Sequence, residues 1–135
     1  MADINYQVHY EQPPEAVWRA ITDPKLIEKW LMPNNFRPEL GAEFEFRSKP
    51  VYGWDGIARC KVLEIEPPKR LVYSWNSNKI ETVVSYTLDK DAHGTWLRFA
   101  HTGFSGVGGF MAKMFMGPGW REKLNKAIPK LLVEA

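Results

Sequence analysis

Three histidines, one cysteine and a few paired carboxylates are the groups in this 135-residue sequence whose chemistry is worth testing. His9 takes a polar place in the alternating stretch Ile4, Tyr6, Val8, Tyr10, and His93 falls in the turn Asp91-Ala92-His93-Gly94, so both read as surface residues. His101 differs, because parity with Leu97 and Phe99 puts it on the apolar face of its strand. An imidazole there is either a core residue bonded to one neighbour or a polar fixture on a pocket wall, since pockets are largely apolar with a few placed polar groups. No second His or carboxylate stands at ligand spacing from it, so no metal is expected. Cys60 has no local cue for activation and reads as a small core or strand residue, and as a single cysteine it allows no internal disulfide. No serine sits in a nucleophile elbow. Glu43 with Glu45 and Glu64 with Glu66 pair carboxylates on strand faces, where such pairs form the solvated side far more often than an acid–base dyad. Asp55, beside Trp54 and between Gly53 and Gly56, is the carboxylate with the best claim on a ligand. No catalytic residue and no cofactor are assigned.

Two further patterns concern binding. Gly103-Phe104-Ser105-Gly106-Val107-Gly108-Gly109 sits where a phosphate loop would, between strand and helix, but lacks the Gly-Lys-Ser/Thr ending and the dinucleotide spacing. It reads as a flexible joint. Beyond it Phe110, Met111, Met114, Phe115 and Met116 crowd together. Met adapts to irregular surfaces, so this is either ordinary core, a patch for a partner or membrane, or a mobile flap at a cavity mouth, which is the reading taken. Six Trp and five Tyr exceed what packing alone demands of a domain this size. Trp54, Trp75, Tyr86 and Trp120 are expected to face the interior, where an apolar ring with one polar tip suits an amphipathic or aromatic ligand. Trp18 and Trp30 read as core or surface.

The elements that must position these residues can be read in order. Alternation makes a strand through Tyr10, and Pro13-Pro14 ends it and opens a short helix with Ala16, Val17, Ala20 and Ile21 on its apolar face. Asp23-Pro24 caps a second short helix carrying Leu26, Ile27, Trp30 and Leu31. About six strands follow, with a short edge strand from Phe36, one through Phe44 and Phe46, a long one from Tyr52 to Ile65, and then the faces Leu71/Tyr73/Trp75, Thr82/Val84/Tyr86/Leu88 and Thr95/Leu97/Phe99/His101. From Phe110 to Val133 the spacing of Trp120, Leu124, Ile128 and Leu131 with Leu132 predicts a helix with a wide apolar stripe. Gly117-Pro118-Gly119 predicts a joint before Trp120, and Pro129 predicts a bend, because it removes the bond to the Asn125 carbonyl. The economical arrangement is one α+β domain over residues 1–135, its long helix laid across one face of an antiparallel sheet. A net charge of +2 is too small to imply nucleic acid. No signal peptide or spanning segment is apparent, so a cytoplasmic protein without stable membrane insertion is expected.

Several phrases in order resemble one known family. Pro14-Glu15-Ala16-Val17-Trp18 and Thr22-Asp23-Pro24 through Trp30 look like its opening helices, and Gly41-Ala42-Glu43-Phe44 like its early strand. Pro67-Pro68-Lys69-Arg70-Leu71-Val72-Tyr73-Ser74-Trp75, then Gly94-Thr95-Trp96-Leu97-Arg98, His101-Thr102-Gly103-Phe104 and Gly119-Trp120, resemble its later part. The family is the branch of the START-like (SRPBCC) superfamily named after the activator of Hsp90 ATPase. The resemblance implies a helix-grip fold, a curved antiparallel sheet wrapped around a long C-terminal helix with a hydrophobic cavity between. It implies no particular ligand, because members include lipid carriers, polyketide cyclases, self-sacrificing resistance proteins and co-chaperone domains. The reading taken is binding of a small hydrophobic or aromatic molecule in that cavity. Its expected lining is Trp54, Asp55, Trp75, Tyr86, Phe99, His101, Phe104, Met111, Met114, Phe115, Trp120 and Leu124. The alternatives are a protein-interaction module resembling the co-chaperone domain, with a protein partner or homodimer, and a cyclase- or hydrolase-type enzyme using His101 as acid or base.

Seven Gly or Pro fall between Gly103 and Gly119. The amides from Phe104 to Met116 are accordingly expected to exchange faster than those of the central strands, and equal protection would remove the flap reading.

Overall fold

The computed structural model describes residues 2–50, 55–77, 80–104 and 116–134, and of residues 2 and 3 the backbone alone. The elements run β1 (Ala2–Tyr10), α1 (Pro14–Thr22), α2 (Pro24–Trp30), β2 (Glu43–Arg47), β3 (Ile57–Glu66), β4 (Arg70–Ser77), β5 (Ile80–Asp91) and β6 (Gly94–Phe104). The C-terminal helix, α3, is helical from 116 to 134. The strands make one antiparallel sheet in the order β1-β6-β5-β4-β3-β2, so β2 to β6 form a meander and β1 closes onto the last strand. The sheet is curved and carries α3 on one face, which is the helix-grip arrangement. Among the described residues no helix is long and apolar enough to cross a membrane.

Alternation decides which face is covered. Leu71, Tyr73 and Trp75 of β4, Thr82, Val84, Tyr86 and Leu88 of β5, and Thr95, Leu97, Phe99 and His101 of β6 are all buried. Their odd-numbered or even-numbered neighbours mostly face solvent, as a one-sided sheet requires. In β3 alternation points Ala58, Cys60 and Val62 in and Leu63 out, and a register shift between Val62 and Glu64 then interrupts the pattern and leaves Glu64 exposed as well.

The two short helices form where the sequence signals them. Pro14 and Pro24 occupy first-turn positions that need no N–H, and the Asp23 carboxylate accepts from the Lys25 N–H at 2.9 Å. Trp30 is core, and its indole N–H donates to the Ala20 carbonyl at 2.7 Å, tying α2 to α1. Phe36, by contrast, lies in no strand. The Asn34 side chain holds this segment in a turn, its amide donating to Pro24 and Met32 carbonyls and its oxygen accepting from the Phe36 N–H. Asn34 makes a single bridge to Phe46, and the Phe36 ring is buried edge-on against Phe44. β3 begins at Ile57, since Asp55 and Gly56 lie outside the strand although the sequence placed them within it; the expected start near Tyr52 lies outside the described residues. Gly56 has a positive φ of 83°, and a Cβ there would collide with the Ser48 carbonyl, so the turn into β3 requires glycine.

Helix α3 departs from expectation twice. Gly117-Pro118-Gly119 is helical and not a joint, with the Gly117 carbonyl held by the Tyr6 hydroxyl at 2.9 Å. Near Pro129 the helix widens into a π turn over Lys123–Ala127, where the Ile128 N–H donates to the Lys123 carbonyl five residues back. In that register the Leu124 carbonyl would look to residue 129, and proline has no N–H to give. The Tyr10 hydroxyl supplies the bond from β1, at 2.6 Å and buried. Burial also pushes the Tyr10 phenol well above its ordinary range, so it stays protonated and donating. Trp120, Leu124, Ile128, Leu131 and Leu132 are buried, each contributing roughly 1.5–3 kcal/mol.

Tyr10→Phe is expected to leave the Leu124 carbonyl orphaned and to destabilise the fold by about 1–3 kcal/mol in urea denaturation. In a Pro129→Ala background, where an N–H is restored, the same change should cost clearly less. Equal costs in the two backgrounds would show that Tyr10 is not substituting for the missing donor.

Candidate functional site

The interior between sheet and α3 is a wall of aromatic rings. Phe44 packs edge-on against Phe36 and Tyr73, with centroids 4.9 and 5.2 Å away, and Phe46 stacks on Trp75 at 5.0 Å. Tyr73 approaches Tyr86 at 5.8 Å, and Tyr86 meets Phe99 at 5.3 Å. Trp120, carried by α3, closes the wall, with Phe99 at 4.6 Å, Trp75 at 5.7 Å, His101 at 5.9 Å and Trp30 at 6.4 Å. Phe104 packs on His101 at 4.6 Å.

Within these rings lies one closed chain of hydrogen bonds. The Trp120 indole N–H donates to His101 Nδ1 at 3.0 Å. Indole only donates, so Nδ1 must carry the lone pair and the proton must sit on Nε2. Nε2–H then donates to Thr82 Oγ1 at 2.7 Å, and the Thr82 hydroxyl donates to the Trp75 carbonyl at 2.7 Å. The order of donors is fixed from end to end. His101 is fully buried, and burial holds its pKa down at about 3, so the ring is neutral at physiological pH. With both nitrogens committed, the His101 ring has no free donor or acceptor left to offer. This is the bonded interior histidine of the two roles the sequence allows, and general acid–base work would require breaking the chain.

Three other polar groups lie on the same wall. The Tyr73 and Tyr86 hydroxyls share a buried bond of 2.7 Å, and burial pushes both phenols above their ordinary range. The Trp75 Nε1 is a buried side-chain nitrogen with no hydrogen-bond partner among the described residues.

Of the expected lining, Trp75, Tyr86, Phe99, His101, Phe104, Trp120 and Leu124 are gathered in this interior. Asp55 is not, and is corrected to a surface residue: it is exposed, accepts from the Ile57 N–H at 3.0 Å and faces Arg59 at 3.8 Å. An unpaired interior carboxylate would carry a large desolvation cost, which the surface position avoids. Trp54, Met111, Met114 and Phe115, and with them the flap, lie outside the described residues. Tyr73, Thr82, Phe44 and Phe46 belong to the wall but were not singled out by the sequence. Tyr73 shares parity with Trp75 two residues on, which is the signal that could have found it. Away from the wall, His9 is half-buried on the outer face, bonded to Asp91 at 3.0 Å and edge-on to Trp96. Cys60 is buried with its thiol pushed up, which suits a core residue and not a nucleophile.

Residues 11–132 match the family of Activator of Hsp90 ATPase homolog 1-like protein. Among solved structures, protein MLL2253 from Mesorhizobium loti is 33% identical, with 98% of each chain covered and a TM-score of 0.83. Protein BH1534 from Bacillus halodurans is 23% identical over 98% of this chain and 97% of its own, also with a TM-score of 0.83. The Aha1 dimer from Colwellia psychrerythraea is 23% identical over 92% of this chain and 91% of its own, with a TM-score of 0.75. No curated protein matches this chain at a significant level.

The neutral His101 sets a pH dependence. Its folded pKa of about 3 lies below the value of roughly 6.5 it takes when unfolded, so acid protonates the unfolded chain first. Its contribution is therefore complete above pH 6.5 and is lost as pH falls towards the folded value. Between about pH 6 and 4 the protein is expected to lose about 1.4 kcal/mol per pH unit more than a His101→Phe variant, read from urea midpoints. Parallel pH profiles would mean that His101 does not stay neutral in the fold.

Proposed function

The chain belongs to the family of Activator of Hsp90 ATPase homolog 1-like proteins, and within it we propose that it is a binding domain for a small hydrophobic or aromatic molecule held between the sheet and α3. The observation that carries this reading is the continuous wall from Phe44 through Tyr73, Trp75 and Trp120 to Phe99 and Tyr86. Flat rings present faces and edges to which another flat molecule adds offset-stacked or edge-on contacts. The polar groups among them are neutral, so an apolar guest meets no buried charge on the wall.

A second reading is interaction with a protein partner or with another copy of the chain. It is favoured by the likeness to the Colwellia psychrerythraea Aha1, whose structure is that of a dimer. Sedimentation of the purified protein across concentration, with and without ligand, separates the two readings.

Because Trp75 and Trp120 stand in the wall, fluorene is expected to change tryptophan emission saturably, with a Kd on the order of tens of micromolar for a molecule of its size. Trp120→Leu should weaken fluorene about tenfold or more by removing the ring that closes the wall. If neither fluorene, naphthalene nor a long-chain fatty acid alters the emission of the wild-type protein, the ligand reading fails.

A further inference from the structure

The buried hydrogen bonds of the interior do not balance, and the imbalance has a direction. Trp75 is 3% exposed and its indole N–H, which can only donate, has no partner among the described residues. The Tyr73–Tyr86 pair holds two hydroxyl protons and shows one shared bond, so one O–H is left over after the other has been donated. Tyr73 and Trp75 stand two residues apart on the inner face of β4, about 7 Å along the strand. The histidine chain takes up neither: its protons run without a break from Trp120 to the Trp75 carbonyl, and the Trp75 indole N–H reaches none of its atoms. A buried donor left unmade is costly, so native interiors supply an acceptor from protein, water or ligand.

We propose that the donor end of this interior is a ligand subsite in which the Trp75 indole N–H, together with the spare hydroxyl of the Tyr73–Tyr86 pair, receives the oxygen of a neutral aromatic carbonyl compound. This rests on the ligand-binding reading above and narrows it. The acceptor must be neutral, because no Lys or Arg among the described residues is buried and a carboxylate there would lack a counter-charge. It must be carried on a flat skeleton, because Trp75 is stacked on Phe46 and meets Trp120 edge-on, leaving rings on both sides of the donor. A hydrocarbon of the same shape would fill the space and leave both donors unmade. An alcohol oxygen could accept from the same donors but would add a proton that itself needs an acceptor.

The test is a matched pair of probes, 9-fluorenone and fluorene, with acetophenone and α-methylstyrene as a smaller pair, titrated into full-length protein carrying nitrogen-15 in its tryptophans. The carbonyl member of at least one pair should bind about three- to thirtyfold tighter than its hydrocarbon partner, and the Trp75 indole N–H proton should move downfield as it binds. Trp75→Phe, which keeps a ring against Phe46 and removes the indole N–H, should reduce that ratio towards one whatever it does to the affinity for fluorene itself. The wild-type indole resonance serves even if the variant folds poorly. Carbonyl and hydrocarbon members binding equally, with the Trp75 indole unmoved, would overturn the donor subsite and leave the ligand reading standing. An indole proton that is already hydrogen-bonded and unmoved in every titration would show a partner within the chain, and would overturn it as well. If no member of either pair binds, the ligand reading falls and this inference with it.

Discussion

Among the side-chain bonds that tie α3 to the sheet, those of Tyr6 and Tyr10 included, one fixes the polarity of the interior: the Trp120 indole N–H on His101 Nδ1. It joins helix to sheet, and because indole has a proton and no lone pair, it decides which nitrogen of the histidine is protonated. That choice passes to Thr82 and ends at the backbone of β4, so the docking of α3 and the polarity of three strands are settled together. A neutral hydrogen bond contributes only about 0.5–1.5 kcal/mol net, but breaking this one would leave a donor and an acceptor buried without partners. The ring that makes it is also packed against Phe99, Trp75 and Trp30. Polar and apolar constraints therefore place Trp120 in the same position, which is why the interior has one arrangement and not several.

Much of this was legible in the sequence. Period-two alternation identified β4, β5 and β6 and their inner faces, and the helical stripe of Trp120, Leu124, Ile128, Leu131 and Leu132 is the buried face of α3. His101 stood out by parity alone. The misses are as instructive. Phe36 reads as a strand residue by type, yet the Asn34 side chain two residues earlier takes its N–H, and a side-chain bond of that kind leaves no periodic trace. Gly117-Pro118-Gly119 reads as a break by propensity, but α3 runs through it, since a helix docked by its apolar face tolerates poor local residues. The consequence of Pro129 was visible in kind and not in form: a missing donor was foreseen, whereas the π register and the hydroxyl that compensates it come from β1, more than a hundred residues away. Asp55 was misjudged because its neighbours Trp54 and Gly56 say nothing about which way a carboxylate will turn.

The interior also shows a division of labour between shape and polarity. Its shape comes from rings, which fill space with little side-chain entropy to lose. Its polarity comes from a handful of tips, several of which are bonded to backbone: Tyr10 to Leu124, Trp30 to Ala20, Thr82 to Trp75, Thr95 to Gln12. Such bonds anchor irregular or widened backbone where ladder hydrogen bonds are missing. Side chains so employed are structural, and the groups left with a proton to spare, the Trp75 indole and one hydroxyl of the Tyr73–Tyr86 pair, are therefore distinguishable from them on chemistry alone.

The pairing of β1 with β6 joins the first strand to the last, and the Tyr6 and Tyr10 hydroxyls extend that junction to the Gly117 and Leu124 carbonyls across 111 and 114 residues of sequence. The meander from β2 to β6 is built of neighbours and can assemble early, whereas β1 must close a loop of nearly the whole chain before it gains anything. Once closed, the first strand and the last helix share their fastenings. Fraying of the amino terminus therefore loosens the helix at the far end of the sequence, and the two termini open and shut as one cooperative unit.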